Sequence, residues 1–353
     1  MVGIIIVGEI ALSPFAKKYI NVLNERGVPY EIVQWSRNGT CEKDGENYRT
    51  YFEDVKRYSS LFSKVTPYKN FRRFVKKTLK EQKYQKLIVL TTQTAIILYD
   101  VLKKYKNKYF FDYRDTSYEY IKPYSHFINK IILNSYATCI SSPGFKKYLT
   151  DKKELIVAHN FQDKYYENRV LKCAKRREDG KVLIGYIGYL REFEYLKKLV
   201  GIFGSDKRFI FELHGGGDCV EDLKSCAEKY ENVKVCGEYK EEDKMDIVNS
   251  FDMICYNYPV SFVNYPAVAN KFYDGMICKK PMFGNSRTFS GELIEKYGLG
   301  ISLDEEDTGI AEKVYNYYES FDREDFEKNC EDFLASVIED DKKYINKINE
   351  FLD

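Results

Sequence analysis

A chain of 353 residues is too long for one small core and suits two domains of ordinary size. Its 44% hydrophobic content supplies packed cores and excludes wholesale disorder. A net charge of +2 gives no global pull toward nucleic acid, so an electrostatic partner must be read from local patches.

Residues 2–7 form a near-continuous β-rich run that predicts a buried strand ending at Gly8-Glu9. Residues 13–26 predict a helix, with Leu12, Phe15, Tyr19, Val22 and Leu23 on one stripe, and 28–35 predict a second strand. This β-α-β start predicts a doubly wound parallel sheet. Gly8 lacks the second and third glycines of a dinucleotide fingerprint, which argues against a nicotinamide enzyme.

Residues 56–86 hold eleven basic residues against one acid, Glu81. Phe71, Phe74, Val75 and Leu79 recur at helical spacing among Arg72, Arg73, Lys76, Lys77 and Lys80. Two readings stand. The segment is an amphipathic helix lying on an anionic bilayer, or its apolar stripe packs on the sheet and the cations face solvent. No nucleic-acid reader motif accompanies the patch.

Strands are predicted at 87–91 and 109–113 with a helix at 95–104 between them. The second strand ends in Asp112-Tyr113-Arg114-Asp115, charges at a carboxyl end, where open α/β sheets place ligands. Either aspartate there can orient or deprotonate a hydroxyl, and Arg114 can hold an anion. The alternative is a cluster satisfied by its own members. Further strands are predicted at 137–142 and 154–158, the latter closing on His159, which reads as structural. The polar stretch 164–180 carries no strand signal, and the linker is placed at 169–180.

The sheet pattern restarts at 181–187, runs into Gly188-Tyr189-Leu190-Arg191, and continues as a helix over 192–203. Strand, glycine turn and helix make an anion site, because glycine lets the backbone come close and the helix start presents free N–H groups. Arg191 adds a planar fork suited to phosphate oxygens; the alternative pairs it with Glu192 or Glu194. Strand 208–213 ends in His214 and three glycines, Gly215, Gly216 and Gly217, which permit close backbone approach to a ligand. Strands follow at 233–236, before Gly237, and at 251–256, ending in Tyr256-Asn257.

Residues 264–285 read N-Y-P-A-V-A-N-K-F-Y-D-G-M-I-C-K-K-P-M-F-G-N: a turn at Pro266, a short helix, then an apolar strand. Asn270, Lys271 and Asp274 lie three and four apart, predicting one exposed polar face able to grip a ligand that is part anion and part diol. The alternative is an amphipathic helix with a solvated face. A strand at 300–303 and charged helices at 313–329 and 331–352 finish the chain.

Nine cysteines without a C-x-x-C pair, and only three histidines, argue against a zinc framework. Cys139, Cys255 and Cys278 sit in apolar runs, as buried free thiols do. Scattered thiols in odd number fit a reducing cytoplasm. The first residues show no basic leader, and no apolar run reaches the roughly 18 residues of a membrane span.

Three segments resemble GT-B glycosyltransferases. Residues 264–285 are similar to the donor-binding helix, P-x-x-x-N-K-x-Y-E-x-x-x-x-G-K-P, with Asp274 in place of the Glu and Lys279 in place of the Gly. Residues 185–191, G-Y-I-G-Y-L-R, resemble the first donor-domain loop, where a basic residue neutralises the leaving diphosphate. Residues 112–115 resemble the D-x-R-D segment of bacterial cell-surface polysaccharide glycosyltransferases, a retaining, family-4-like group.

The resemblance implies an α/β fold of two Rossmann-like domains facing each other across a cleft. The acceptor domain spans 1–168, with 337–353 crossing back to it, and the nucleotide-sugar donor domain spans 181–336. It implies sugar transfer from a nucleotide-sugar to a hydroxyl of a glycan or lipid-linked glycan, at the inner face of the plasma membrane or free in the cytoplasm. Arg191 and Lys271 would supply the positive charge, with no cofactor and no metal, since no D-x-D clamp stands out. Asp112 and Asp115 would act on the acceptor hydroxyl, with Gly8, Glu9 and Arg114 on the acceptor side. Gly188, Gly215, Gly216, Tyr256, Asn270, Tyr273 and Asp274 would shape the donor site, Asp274 accepting the ribose diol. A sugar-nucleotide epimerase or hydrolase, or a non-catalytic nucleotide-sugar-binding scaffold, would share this architecture.

Overall fold

The computed structural model describes residues 1–37, 47–55, 61–170 and 177–353. It divides into two compact units, Met1–His159 with Glu339–Asp353, and Asn160–Ile338. Each is built on one parallel sheet with helices on both faces.

The first sheet contains β1 (Val2–Ile6), β2 (Tyr30–Ser36), β3 (Tyr48–Phe52), β4 (Lys86–Leu90), β5 (Tyr109–Tyr113), β6 (Ala137–Ile140) and β7 (Leu155–Val157). Their order is β3-β2-β1-β4-β5-β6-β7, every pair parallel. β1, β5 and β6 are buried at every position, as continuous apolar runs in a sheet covered on both faces require. One face packs Trp35, Phe71, Phe111 and Phe145; the other packs Tyr19, Phe110, Tyr344 and Phe351. β3, with sequence YRTYF, is an edge strand that the sequence pattern does not predict, because none of its residues is fully buried.

The basic segment forms a helix, Leu61–Gln82; its leading residues 56–60 lie outside those described. Phe71 and Val75 are fully buried, and Phe71 stacks on Trp35 at 5.5 Å and 20°. Burying Phe71 is worth about 2–3 kcal/mol, so the stripe proposed as bilayer anchors is already used by the core. Of the cations, Arg72 and Lys76 both pair with Asp100.

The second sheet contains β8 (Val182–Ile187), β9 (Phe209–His214), β10 (Val233–Gly237), β11 (Met253–Tyr256), β12 (Met282–Asn285) and β13 (Gly300–Leu303), in the order β10-β9-β8-β11-β12-β13, again all parallel. Cys255 and Cys278 are buried here, as Cys139 is in the first unit. Where the sequence predicts two helices at 313–329 and 331–352, the break falls earlier, between Ile310–Ser320 and one long helix, Arg323–Leu352. Asp322 sets the start, its carboxylate accepting the Asp325 N–H at 3.0 Å. The end of this helix belongs to the first unit, where Tyr344 meets the Tyr19 ring edge-on at 5.5 Å and Asp340 faces His159 at 3.3 Å.

Candidate functional site

In a doubly wound sheet the strand order reverses at one point, and the loops leaving the two strands there diverge to opposite faces. That leaves a crevice at their carboxyl ends where ligands bind. In the second sheet this point lies between β8 and β11. β8 exits into Gly188 and Arg191, followed by the Phe193–Gly204 helix. β11 exits into Asn257 and Tyr258, and the Asn270–Ile277 helix follows.

Arg191 is exposed, whereas Lys271 is 5% exposed and its Nζ makes no hydrogen bond of regular geometry among the described residues, the Tyr258 side chain being the polar group that acts on it. The ammonium lies 3.2 Å from the centre of the Tyr186 ring and 4.6 Å from that of Tyr258. Burial lowers the Lys271 pKa, Tyr258 and Cys255 work against that, and the charge of Arg191 depresses it further. Arg191 also acts on the buried phenols of Tyr186 and Tyr256. The two cations are therefore electrostatic neighbours, and the buried one faces aromatic rings instead of a carboxylate. Rings hold a cation far less strongly than an anion does.

Hydrogen bonds fix this arrangement. The Tyr256 hydroxyl accepts the Ala269 N–H at 2.6 Å, holding the residue that precedes the Asn270–Ile277 helix. Asn285 donates to the Tyr258 carbonyl at 2.9 Å, and Asn257 donates to the Gly284 carbonyl at 3.2 Å. Sequence reading missed Tyr186 and Tyr258, since tyrosines at strand ends look like ordinary core until a lysine is found between them.

Beside Arg191 the turn after β9 approaches the turn after β8 backbone to backbone. Gly215 has φ +144°, and a Cβ there would lie 1.8 Å from the Gly188 carbonyl oxygen. Gly215→Ala is expected to cost at least about 2 kcal/mol in denaturant unfolding. Gly237→Ala, at φ +79° with nothing within 4 Å, should cost only about 1–2 kcal/mol. A recess of about 390 Å³ opens over this turn, lined by Gly215, Gly216, Asp218, Gly237 and Glu238 among others.

No protein-family model matches the sequence, and no curated protein sequence matches it. Solved structures match over nearly the whole chain. A glycosyltransferase from Rickettsia africae is similar with a TM-score of 0.68 at 15% identity, covering 100% of this chain and 98% of that one. HepE from Anabaena, in complex with UDP, gives 0.68 at 11% identity, covering 99% of each chain. WaaG, a glycosyltransferase involved in lipopolysaccharide biosynthesis, gives 0.63 at 9% identity, again covering 99% of each. The chain has the GT-B fold.

The GT-B scaffold places other expected residues differently from the sequence reading. The exposed polar face of 270–274 does not exist. Asn270 is exposed, but Lys271, Phe272, Tyr273 and Asp274 are all buried, because the Asn270–Ile277 helix packs on several sides. Asp274 is not turned to solvent: its carboxylate holds Lys244 at 3.0 Å, both side chains being buried. Tyr273 lies in the core, stacked against Phe333 at 6.3 Å. Gly216 borders Glu238, whose carboxylate a Cβ would meet at 2.4 Å.

In the first unit, Asp112 is fully buried and Arg114 is 6% exposed. Arg114 Nε and Nη2 donate to the two Asp112 oxygens at 2.5 and 2.9 Å, and Nη1 donates to the Ala158 carbonyl at 2.8 Å. The Tyr19 hydroxyl donates to Asp112 at 2.9 Å. This is the self-satisfied cluster. It corrects the expectation that Asp112 meets an acceptor hydroxyl or that Arg114 holds a substrate anion. Asp115, by contrast, is exposed. Gly8 has φ +134° with open space where a Cβ would point, and Glu9 accepts from the Ser36 hydroxyl at 2.6 Å.

Proposed function

We propose that this chain is a glycosyltransferase that moves a sugar, of the hexosyl class, from a uridine-diphosphate donor to an acceptor hydroxyl. The observation that carries the reading is the buried Lys271 ammonium, facing tyrosine rings and no carboxylate among the described residues, in the electrostatic reach of Arg191 at the β8/β11 switch point. A buried charge without a counter-ion is costly, and a diphosphate is the dianionic group that answers two neighbouring cations. Likeness in fold to glycosyltransferases, among them HepE solved with UDP, supports the same reading.

In the reaction, the acceptor oxygen bonds to the anomeric carbon while the bond from that carbon to the diphosphate oxygen breaks, its electron pair leaving with the diphosphate. The hydroxyl proton goes to a base; of the two aspartates singled out for that task, only Asp115 is exposed. Arg191 and Lys271 stabilise the charge that grows on the leaving group, with no metal in that role. Losing one such preorganised group typically costs 10²–10³ in kcat. The acceptor proposed is a glycan or lipid-linked glycan of the cell surface, reached from the cytoplasm. Among the described side chains of the Leu61–Gln82 helix, Lys69, Arg73 and Lys80 are the exposed cations proposed for membrane contact, while Lys77 pairs with Glu81.

The test is a thermal-shift panel of nucleotides and nucleotide-sugars, followed by transfer from the best-bound donor. UDP and a UDP-sugar are expected to raise the midpoint in proportion to the logarithm of their concentration. No shift with any nucleotide diphosphate would remove the proposal. Binding without transfer, unchanged in Asp115→Asn, would leave a binding protein instead.

A further inference from the structure

Glu212, His214 and Cys236 stand on two neighbouring strands at the carboxyl end of the second sheet, outside the Lys271 pocket. Glu212 and His214 are two apart on β9, so the pleat turns both to the same face. The third member comes from β10. There the register runs evenly through Lys234 opposite Glu212 and Val235 opposite Leu213, then slips so that Gly237, and not Cys236, lies opposite His214. Cys236 is the extra residue of a β-bulge, a device that re-aims one side chain and that clusters near functional sites. One ligand atom from each of the three residues lies within 4.8 Å of the other two. His214 and Glu212 are themselves 2.9 Å apart.

We propose that Glu212, His214 and Cys236 form a binding site for a borderline-soft divalent cation of the zinc class. Thiolate, imidazole and carboxylate are the three donor types zinc accepts, and a tetrahedral ion with bonds of about 2.0–2.3 Å needs its ligand atoms about 3.5 Å apart. The trio is therefore close to that spacing without any strand having to move. All three side chains are half-buried, which leaves the fourth position open to water, as at sites with three protein ligands. An ion pair between His214 and Glu212 would account for two members of the trio but not for the thiol that completes it from the neighbouring strand. The charges of Lys234 and Arg177 reach Glu212 and oppose a cation, so two anionic ligands act against them. Bound metal would tie together the exits of β9 and β10 beside the Gly215 turn. The site is independent of the glycosyl-transfer reading.

The experiment is a Co(II) titration of the full-length, reduced, chelator-treated protein without nucleotide. One equivalent per chain is expected, with the near-ultraviolet thiolate-to-metal band and the intense visible bands of a four-coordinate ion, both displaced by Zn(II). Cys236→Ser and His214→Gln should each weaken binding by roughly 100-fold, at least the loss that removing an outer-shell partner already causes. A weak six-coordinate spectrum without the thiolate band would overturn the site. So would a thiolate band that survives in Cys236→Ser, since another cysteine would then be the ligand. Should a variant not fold, the wild-type protein still decides. Zn(II) is expected to protect Cys236 from alkylation, as read by peptide mass spectrometry, and equal labelling with and without Zn(II) counts against the proposal.

Discussion

Arg114→Met is expected to destabilise the protein by about 3–5 kcal/mol, the cost of leaving one partner of a buried ion pair without the other. The pair is sealed, with Asp112 fully buried and Arg114 6% exposed. The guanidinium uses one edge on both carboxylate oxygens and one nitrogen on the Ala158 carbonyl, while its plane covers the Phe15 ring at 4.4 Å. Methionine fills most of the volume but leaves the Asp112 carboxylate without its counter-charge, with the neutral Tyr19 hydroxyl still donating to it. Around it stand Cys139 and Tyr344, whose pKa values are already pushed well up, by burial first and then by neighbouring charge that includes Asp112. Against a total stability of about 5–15 kcal/mol this loss is large. Removing both charges in Asp112→Asn/Arg114→Met should recover much of it, because a neutral buried pair needs no counter-charge. Urea unfolding of the two single variants and the double variant measures the coupling directly. A loss below about 1 kcal/mol in Arg114→Met would mean that water reaches Asp112, and its role as an acceptor base would return.

The same cluster shows where the sequence is readable and where it is not. The strands of both sheets announce themselves as apolar runs such as those of β1 and β5, because a parallel sheet covered on both faces leaves no polar position to mask the pattern. Edge strand β3 does not, since Tyr48–Phe52 is only half-covered and carries the charged Arg49. At the strand ends, residue type identified the charges but not their partners. D-Y-R-D reads alike whether Asp112 faces an acceptor or Arg114, and only burial tells the two apart. For Lys271 and Asp274, spacing predicted a shared polar face, whereas packing buried both and sent one to tyrosine rings and the other to Lys244. Helical period registers where a side chain starts, and a lysine stem reaches far from that point. The trio of Glu212, His214 and Cys236 was illegible for another reason: its third member comes from a neighbouring strand, and no spacing within one strand shows which residues the sheet sets side by side.

Lys271→Met separates a functional charge from a structural one by the signs of two effects. In the free protein the ammonium is buried without a carboxylate partner among the described residues, held by the rings of Tyr186 and Tyr258. Such contacts return about 2 kcal/mol, less than the several kcal/mol that desolvating the ion costs. Methionine is therefore expected to stabilise the unliganded protein by about 1 kcal/mol or more, while UDP affinity falls about 10- to 100-fold with the loss of a charge-assisted contact. The pH dependence follows from the lowered Lys271 pKa. The unfolded chain holds this proton up to the ordinary range near 10.5, so wild-type stability rises as pH climbs from the folded pKa toward that range. Bound diphosphate favours the protonated form and raises the pKa again. UDP affinity should then fall as pH rises through the free-state value, with net proton uptake on binding, and Lys271→Met should lose that component of the dependence. Calorimetric titrations in two buffers of different ionisation enthalpy read the proton directly. A methionine variant that is less stable than wild type and binds UDP equally well would make Lys271 a packing residue, and the diphosphate would have to be held by Arg191 and the uncapped helix start beside it.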